Sequence, residues 1–203
     1  MASQRTLSGK VVVGAFGALL VIALAGAYVI QNANKDRLVL PVLGDIPKFT
    51  FTERSGEPFG TKDFYGKISV VDFIFTTCPG VCPIMADRMK HLYDVYKNDP
   101  EVQFVSITVD PETDSLPVLR QYAIDHGVTD NRWVFLRAPV ENVMMVSEQG
   151  FKLPMGVLPA GHSSRFVLVD SKGQIRGYYN SDDDQSQLLL EHHIRALLGA
   201  MKK

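Results

Sequence analysis

A nearly continuous apolar segment at residues 68–75 most constrains how this chain can fold. Such a segment is typical of a strand that is buried on both faces, as in the sheets of α/β proteins. It is followed by Cys78 and Cys82, the only two cysteines of the chain, and then by apolar residues that recur at helical spacing over residues 84–96. The sequence therefore predicts a buried strand, a loop with two thiols and a helix, in that order.

The rest of the chain after residue 40 alternates between strand and helix periodicities. The pattern predicts a hairpin of residues 49–53 and 57–59, a strand over 102–109, a helix over 116–124, a strand over 133–136, a helix over 140–148, a hairpin of 166–169 and 174–179, and a helix over 187–201. This is the element order of a thioredoxin-like sandwich. We therefore expect an α/β fold with a mixed central sheet and helices on both faces.

The N-terminal region contains twenty residues without a charge, 11–30. As a helix they would extend about 30 Å, which is the thickness of the hydrocarbon core of a bilayer. The sequence favours an uncleaved transmembrane anchor over a cleaved export signal, although Ala23, Ala25 and Ala27 make a cleavage site conceivable. We thus expect a short tail (1–10), an anchor (11–30), a linker (31–40) and one domain (41–203).

The charge distribution bears on location and on partners. The charges that flank the apolar segment do not fix its orientation, and residues 1–10 lack the long Arg-rich and Ser-rich character of an organellar transit peptide. The expectation is a single-pass protein of a bacterial inner membrane with its domain in the periplasm. A net charge of −1 without a basic stripe argues against nucleic-acid binding.

The position of the cysteine pair indicates reactive thiols. A loop that joins a strand to a helix in an α/β sheet opens into the crevice where such folds bind ligands. The free N–H groups and the dipole of the following helix stabilise a thiolate, which attacks disulfides or binds soft metal ions. The alternative is a structural disulfide or two buried thiols, but a bridge across so short a loop restrains little entropy of the unfolded chain.

His162 is the third candidate ligand. It follows a segment rich in Pro and Gly, 153–161, which leads into the strand predicted at 166, so we expect its loop to face the cysteine loop. Two thiolates and one imidazole form a soft set that suits Cu(I) and can also bind Cu(II). Zinc accepts the same ligands, although structural zinc normally takes four. The alternative for His162 is a loop histidine that is satisfied by backbone hydrogen bonds.

Four segments carry a resemblance that covers most of residues 41–200: DFYGK at 63–67, FIFTTCPGVCP at 73–83, VDPETDS at 109–115 and GHS at 161–163. In these segments the chain resembles the Sco/SenC family of membrane-anchored, thioredoxin-like copper proteins that help to assemble the copper A centre of cytochrome c oxidase. The resemblance implies copper as the bound metal, with Cys78, Cys82 and His162 as its ligands. It also implies two partners, a copper donor protein and the copper-bearing subunit of the oxidase. Family members often carry an acidic residue before the histidine, where this chain has Gly161.

Two functions of different class are compatible with these residues. The first is a metallochaperone, which is not an enzyme, that delivers copper to the oxidase. The second is a thiol–disulfide oxidoreductase whose redox-active pair, Cys78 and Cys82, reduces the copper-site cysteines of its partner; a peroxiredoxin-like peroxidase is a weaker third interpretation. Dithiol chemistry explains the cysteines alone, whereas copper binding also explains His162. The metallochaperone is therefore the preferred hypothesis.

Several other polar and sulfur-containing residues have structural interpretations. We expect Asp114 or Ser115 to cap the helix that begins near residue 116. The alternative suggested by the resemblance is an acidic lip, which includes Asp110, that docks a copper donor or acceptor or adjusts the metal site. His91 and His126 are interpreted as structural, and His192 and His193 are adjacent and cannot face one site together. Five methionines are interpreted as core residues: Met85, Met89, Met144, Met145 and Met155. This interpretation has the least support for Met155, which lies in the His162 loop.

Overall fold

The computed structural model describes residues 21–27, 39–80 and 82–202 of the chain. The predicted anchor is described only at residues 21–27, which are helical, and the rest of it lies outside the described residues, as do the tail and most of the linker. None of the helices within the described ranges has the length and hydropathy of a membrane-spanning segment. The unit that carries the candidate site begins at Leu40.

Strand and helix bounds follow the predicted periodicities closely. The strands are β1 (Gly44–Asp45), β2 (Thr50–Glu53), β3 (Pro58–Gly60), β4 (Ile68–Ile74), β5 (Val102–Thr108), β6 (Trp133–Arg137), β7 (Arg165–Val169) and β8 (Gln174–Asn180). The α-helices after Leu40 are α1 (Cys82–Val95), α2 (Leu116–Asp125), α3 (Val140–Met145) and α4 (Asp184–Met201). A 3-10 helix at Thr61–Phe64 and a π-helical turn at Val146–Gly150 complete the set. All the predicted strands, hairpins and helices of the domain are confirmed, whereas β1 and the 3-10 helix were not predicted.

In the described part of the chain the strands form one mixed sheet in the order β1-β8-β7-β4-β5-β6-β2-β3. Strand β4 pairs in parallel with β5 and antiparallel with β7, and β5 pairs in parallel with β6. All seven residues of β4 are buried, which confirms the expectation of a strand covered on both faces. A mixed α/β sheet with helices is thus the observed fold class.

The two faces of the sheet carry separate hydrophobic clusters, because successive side chains of a strand point to opposite faces. Val70 and Phe104 belong to the cluster that α1, α2 and α4 cover, whereas Val71 and Val105 belong to the cluster on the face of α3. Helices therefore lie on both faces of the sheet, as predicted, with more of them on the first face.

Asp72 is the one acidic residue within β4. Its side chain is 1% exposed, and neither carboxylate oxygen has a hydrogen-bond partner among the described residues. Burial raises the pKa of Asp72 to about 7, and the side chain of Ser106, its neighbour in register on β5, lowers it by a smaller amount. A buried carboxylate without donors destabilises the folded state whenever it is ionised.

This gives a pH-dependent prediction for Asp72→Asn. The unfolded carboxyl ionises at its ordinary pKa of 3.8 and the folded one at about 7, so between these values the folded state binds more protons and stability falls as pH rises. The variant lacks this pH-dependent loss of stability. We therefore expect the difference in free energy of unfolding, variant minus wild type, to increase by up to about 4 kcal/mol from pH 4 to pH 8. Urea unfolding across that range measures the difference.

An Asp87→Asn variant provides the control, since Asp87 lies exposed on α1. The same urea titrations of this variant measure what the loss of one exposed carboxyl does. A pH-independent difference between Asp72→Asn and wild type would show that the Asp72 carboxyl is not held protonated by burial.

Candidate metal centre

Sheet topology brings three chemically reactive side chains to one edge. Strand β4 ends at Ile74, and the chain that follows carries Cys78 and then Cys82, the first residue of α1. Strand β7 runs antiparallel to β4, so the start of β7 lies beside the end of β4. His162 precedes that start by three residues. The expected approach of the histidine loop to the cysteine loop is therefore observed.

The ligand atoms of Cys78, Cys82 and His162 all lie within 4.8 Å of one another. The Cys82 Sγ atom is 3.2 Å from His162 Nε2. Ligands at about 2.0 to 2.3 Å from a shared ion are separated by at most about 4.6 Å, so small side-chain adjustments close this group around one ion. Cys82 is buried, whereas Cys78 and His162 are half-buried, which leaves one side of the group accessible.

The orientation of His162 suits a metal ligand. Its Nδ1 atom lies 3.1 Å from the Ser163 carbonyl oxygen, and because a carbonyl only accepts, Nδ1 carries the proton and the Nε2 lone pair faces Cys82. The ring stands nearly perpendicular to Phe75, with centroids 5.6 Å apart. Burial lowers the pKa of His162, with an opposing contribution from Ser163. The imidazole is thereby kept neutral, which is the form that binds metals.

The electrostatics of Cys82 differ from the sequence-based expectation. Burial, the Cys78 side chain and the charge of Asp72 together raise the pKa of Cys82 to about 12, with burial the largest cause. The prediction that the helix N-terminus would stabilise a thiolate is wrong for this residue, because the desolvation of a side chain that is 2% exposed exceeds the effect of the dipole. Cys82 therefore keeps its proton near neutral pH.

Asp114 neither caps α2 nor forms an exposed lip. It is fully buried, and its carboxylate accepts hydrogen bonds from the Thr76 N–H, the Thr76 hydroxyl and the Thr108 hydroxyl. Ser115 stands at the N-cap position of α2 without a side-chain hydrogen bond to the helix. The capping interpretation of Asp114 is thus wrong, and its full burial does not fit a docking surface, whereas the adjustment of the metal site stays a prediction. Asp110 is half-buried at the same edge, and a docking role for it stays a prediction.

Three of the remaining histidines and two of the methionines have structural surroundings. His91 pairs with Glu191, His126 ends α2 and contacts the Tyr122 carbonyl, and His193 contacts the Tyr179 hydroxyl. Met85 and Met89 are buried in the core as expected, and Met155 packs partly buried against the cluster that contains Cys82. The core interpretation is wrong for Met145, which is 50% exposed.

The loop before His162 closes on itself at two glycines. The Gly156 N–H donates to the Gly161 carbonyl, and the Gly161 N–H donates to the Val157 carbonyl. A Cβ atom at position 161 would lie 2.6 Å from both the Gly156 carbonyl carbon and the Val157 nitrogen, a distance that real contacts do not reach. The glycine therefore permits a close backbone approach that an acidic residue would prevent.

Gly161→Ala should accordingly open this loop. The added methyl group meets backbone atoms, and overpacking of this kind costs about 1 to 3 kcal/mol. Gly156→Ala is the matched control, because its Cβ would find its nearest neighbour, the Gly161 Cα, at an ordinary 3.5 Å. Urea unfolding of both variants measures the difference. Equal stabilities for the two alanine variants would contradict the close approach at Gly161.

Comparisons with known proteins place this geometry in a family context. The family model described as SCO1/SenC matches residues 45–198. The SCO1 protein homolog of Bacillus subtilis is 30% identical over 146 residues, which are 69% of this chain and 76% of that protein.

Two solved structures share the fold. BsSco, a member of the Sco family of cytochrome c oxidase assembly proteins in which a disulfide switch was identified, matches with a TM-score of 0.68 and 25% identity over 79% of this chain and 98% of its own. Yeast Sco1 with copper bound matches with a TM-score of 0.58 and 26% identity, covering 75% of this chain and 89% of that one.

Proposed function

We propose, from the premise that this chain belongs to the SCO1/SenC family, that it is a copper-binding metallochaperone of cytochrome c oxidase assembly. Cys78, Cys82 and His162 bind the ion, and the protein delivers it to the copper A site or prepares that site. The observation that carries the proposal is the convergence of two thiols and one oriented imidazole within 4.8 Å. Related proteins with bound copper and with a role in oxidase assembly support it.

The donor set favours copper among the biological metal ions. Two sulfurs satisfy Cu(I), and the additional imidazole makes the same group competent for Cu(II). The accessible side at Cys78 and His162 allows a partner's ligands to approach the ion, while Cys82 lies buried behind it. Transfer can then proceed by stepwise exchange of ligands between two proteins. In this proposal copper is cargo, received from a donor protein and passed to the copper-bearing subunit.

The proposed location follows from the sequence alone. Residues 11–30 would anchor the protein in a bacterial inner membrane, and residues 31–40 would tether the domain in the periplasm. A membrane anchor restricts the domain to the surface where a membrane-bound oxidase is assembled, which raises the local concentration of the two partners.

The second candidate is a thiol–disulfide oxidoreductase that reduces the copper-site cysteines of the partner. Two observations favour it, the proximity of the two thiols at an accessible edge and the disulfide switch identified in the related BsSco. Oxidation and metal binding compete for the same sulfurs, because a sulfur ligand must be a thiolate. His162 distinguishes the two functions, since thiol exchange does not need an imidazole ligand.

Cys78→Ser and Cys82→Ser should each abolish tight copper binding. A hydroxyl is a poor ligand for a soft ion and does not ionise near neutral pH. The experiment loads the reduced full-length protein with copper, dialyses it and measures the bound metal, while circular dichroism verifies that each variant folds. Wild-type retention of copper by either serine variant would remove the proposed site, and global unfolding of either would indicate a structural bridge.

His162→Ala should lower the affinity for Cu(II) by well over tenfold, because only two thiolates remain, and should affect Cu(I) less. Disulfide exchange with a small thiol should stay within a few-fold of wild type, since it depends mainly on the ionisation and exposure of the attacking sulfur. In cells, copper delivery requires this variant to lose oxidase activity. Full oxidase assembly with His162→Ala but not with Cys78→Ser would establish the reductase in place of the chaperone.

A further inference from the structure

The three candidate ligands are fixed in place by different means. Cys82 is the first residue of α1 and is buried in the core, and the His162 ring is oriented by the Ser163 carbonyl and by Phe75. Cys78 lies instead in the short segment between β4 and α1, where its N–H donates to the Phe75 carbonyl. The position of Cys78 therefore depends on the backbone conformation of the segment that follows β4, at Thr76.

Asp114 binds the chain at that point. The Thr76 N–H lies 3.3 and 3.2 Å from the two Asp114 carboxylate oxygens, and the Thr76 hydroxyl donates to Oδ1 at 2.5 Å. The Thr108 hydroxyl donates to Oδ2 at 2.5 Å, and the Asp114 N–H donates to the Asp110 carbonyl. One carboxylate thus joins the end of β4, the end of β5 and the segment that leads into α2.

We propose that Asp114 is a positioning residue of the metal centre, which fixes Cys78 at the distance from Cys82 and His162 that a three-ligand site requires. The inference rests on the proposed copper function and deepens it. Retention of Cu(II) depends on a carboxylate that does not touch the metal. Cu(I) needs only the two sulfurs, which can adjust to each other, whereas Cu(II) needs both sulfurs and the His162 imidazole in place at once and is the more sensitive state.

The surroundings of Asp114 favour this role over simple core filling. Burying a carboxylate is costly unless hydrogen bonds or an ion pair compensate, and among the described residues no ion pair includes Asp114. Its compensation consists of donors from Thr76 and Thr108, so the carboxylate and the loop fix each other. Loss of a group that hydrogen-bonds directly to a metal ligand typically lowers metal affinity by about 10- to 100-fold, and Asp114, which acts on Cys78 through Thr76, should have an effect at the lower end of that range.

Two variants weaken the bond without removing bulk. Asp114→Asn keeps the shape but replaces charged acceptors by an amide, and Thr76→Val removes the hydroxyl donor. Thr76→Ser retains that donor and should restore the wild-type behaviour. Asp170→Asn is the matched control, because Asp170 is a buried carboxylate that accepts from the backbone of Lys172 and from Arg176 at the other end of β7.

The measurement is the Cu(II) and Cu(I) affinity of the full-length protein by competition titration, together with the sulfur-to-copper charge-transfer band. Asp114→Asn and Thr76→Val should lower Cu(II) affinity by about tenfold, the lower end of the range for groups that orient metal ligands, and shift or weaken the band, with a smaller change for Cu(I). Asp170→Asn should lower the denaturation midpoint while leaving Cu(II) affinity and the band at wild-type values.

Failure of the inference about Asp114 and failure of the proposed copper function give different results. If Asp114→Asn and Thr76→Val lose stability but keep wild-type Cu(II) affinity and the wild-type band, Asp114 is structural only and the inference is overturned. If Asp114→Asn fails to fold, Thr76→Val decides by the same measurement. If wild type and Cys78→Ser bind copper equally, the proposed function itself fails, whatever Asp114 does.

Discussion

The pairing of β4 with its two neighbours is the constraint on which the rest of the structure depends. Every residue of this strand is buried, so a slip of register by one residue would reverse both of its faces, and the pairing is strongly specified. Parallel β5 places its carboxyl end beside that of β4, and antiparallel β7 places its first residues there. One strand therefore determines that the cysteine segment, the Asp110–Asp114 turn and the histidine loop meet at a single edge.

Most of the strands, helices and loops that form this edge could be predicted from the sequence, because the patterns that indicate them are local. The buried run at 68–75 and the helical spacing after it predict β4 and α1, and the Pro/Gly-rich segment before His162 predicts a loop. The antiparallel return of β7, which brings His162 to the cysteines, follows from the expected fold rather than from any single residue. The short β1 pairs only Gly44 and Asp45 with β8, and so brief a strand leaves no periodicity to detect.

The hydrogen-bond partners of Asp114 could not be predicted in the same way. An acidic residue just before a helix is most simply a cap, and the sequence separates Asp114 from Thr76 by 38 positions. Only the parallel pairing of β4 with β5 brings the two together. Asp72 did leave a signal, a charged residue within a continuous apolar strand, but no local rule says whether such a carboxyl finds donors in the folded protein.

Asp72 and Asp114 are two buried carboxyl groups that differ in the hydrogen-bond donors around them. Both side chains are almost fully buried, at 1% and 0% exposure. The Asp114 carboxylate accepts bonds from Thr76 and Thr108, whereas Asp72 accepts none among the described residues and its pKa rises to about 7. Desolvation without donors favours the neutral acid, and donors to the carboxylate offset that cost.

The balance between desolvation and local interactions also sets the pKa of Cys82. Here the result is opposite to the usual effect of a helix N-terminus, which stabilises a thiolate. A helix N-terminus contributes at most about 2 kcal/mol to a charged group in favourable geometry. The pKa of Cys82 nevertheless rises from 9.0 to about 12, with burial the largest cause and the Cys78 side chain the next, so these effects outweigh the dipole. A metal ion that binds this sulfur must displace a proton that the protein itself retains. The burial that fixes Cys82 as the rigid side of the centre therefore also protects the thiol from ionising near neutral pH.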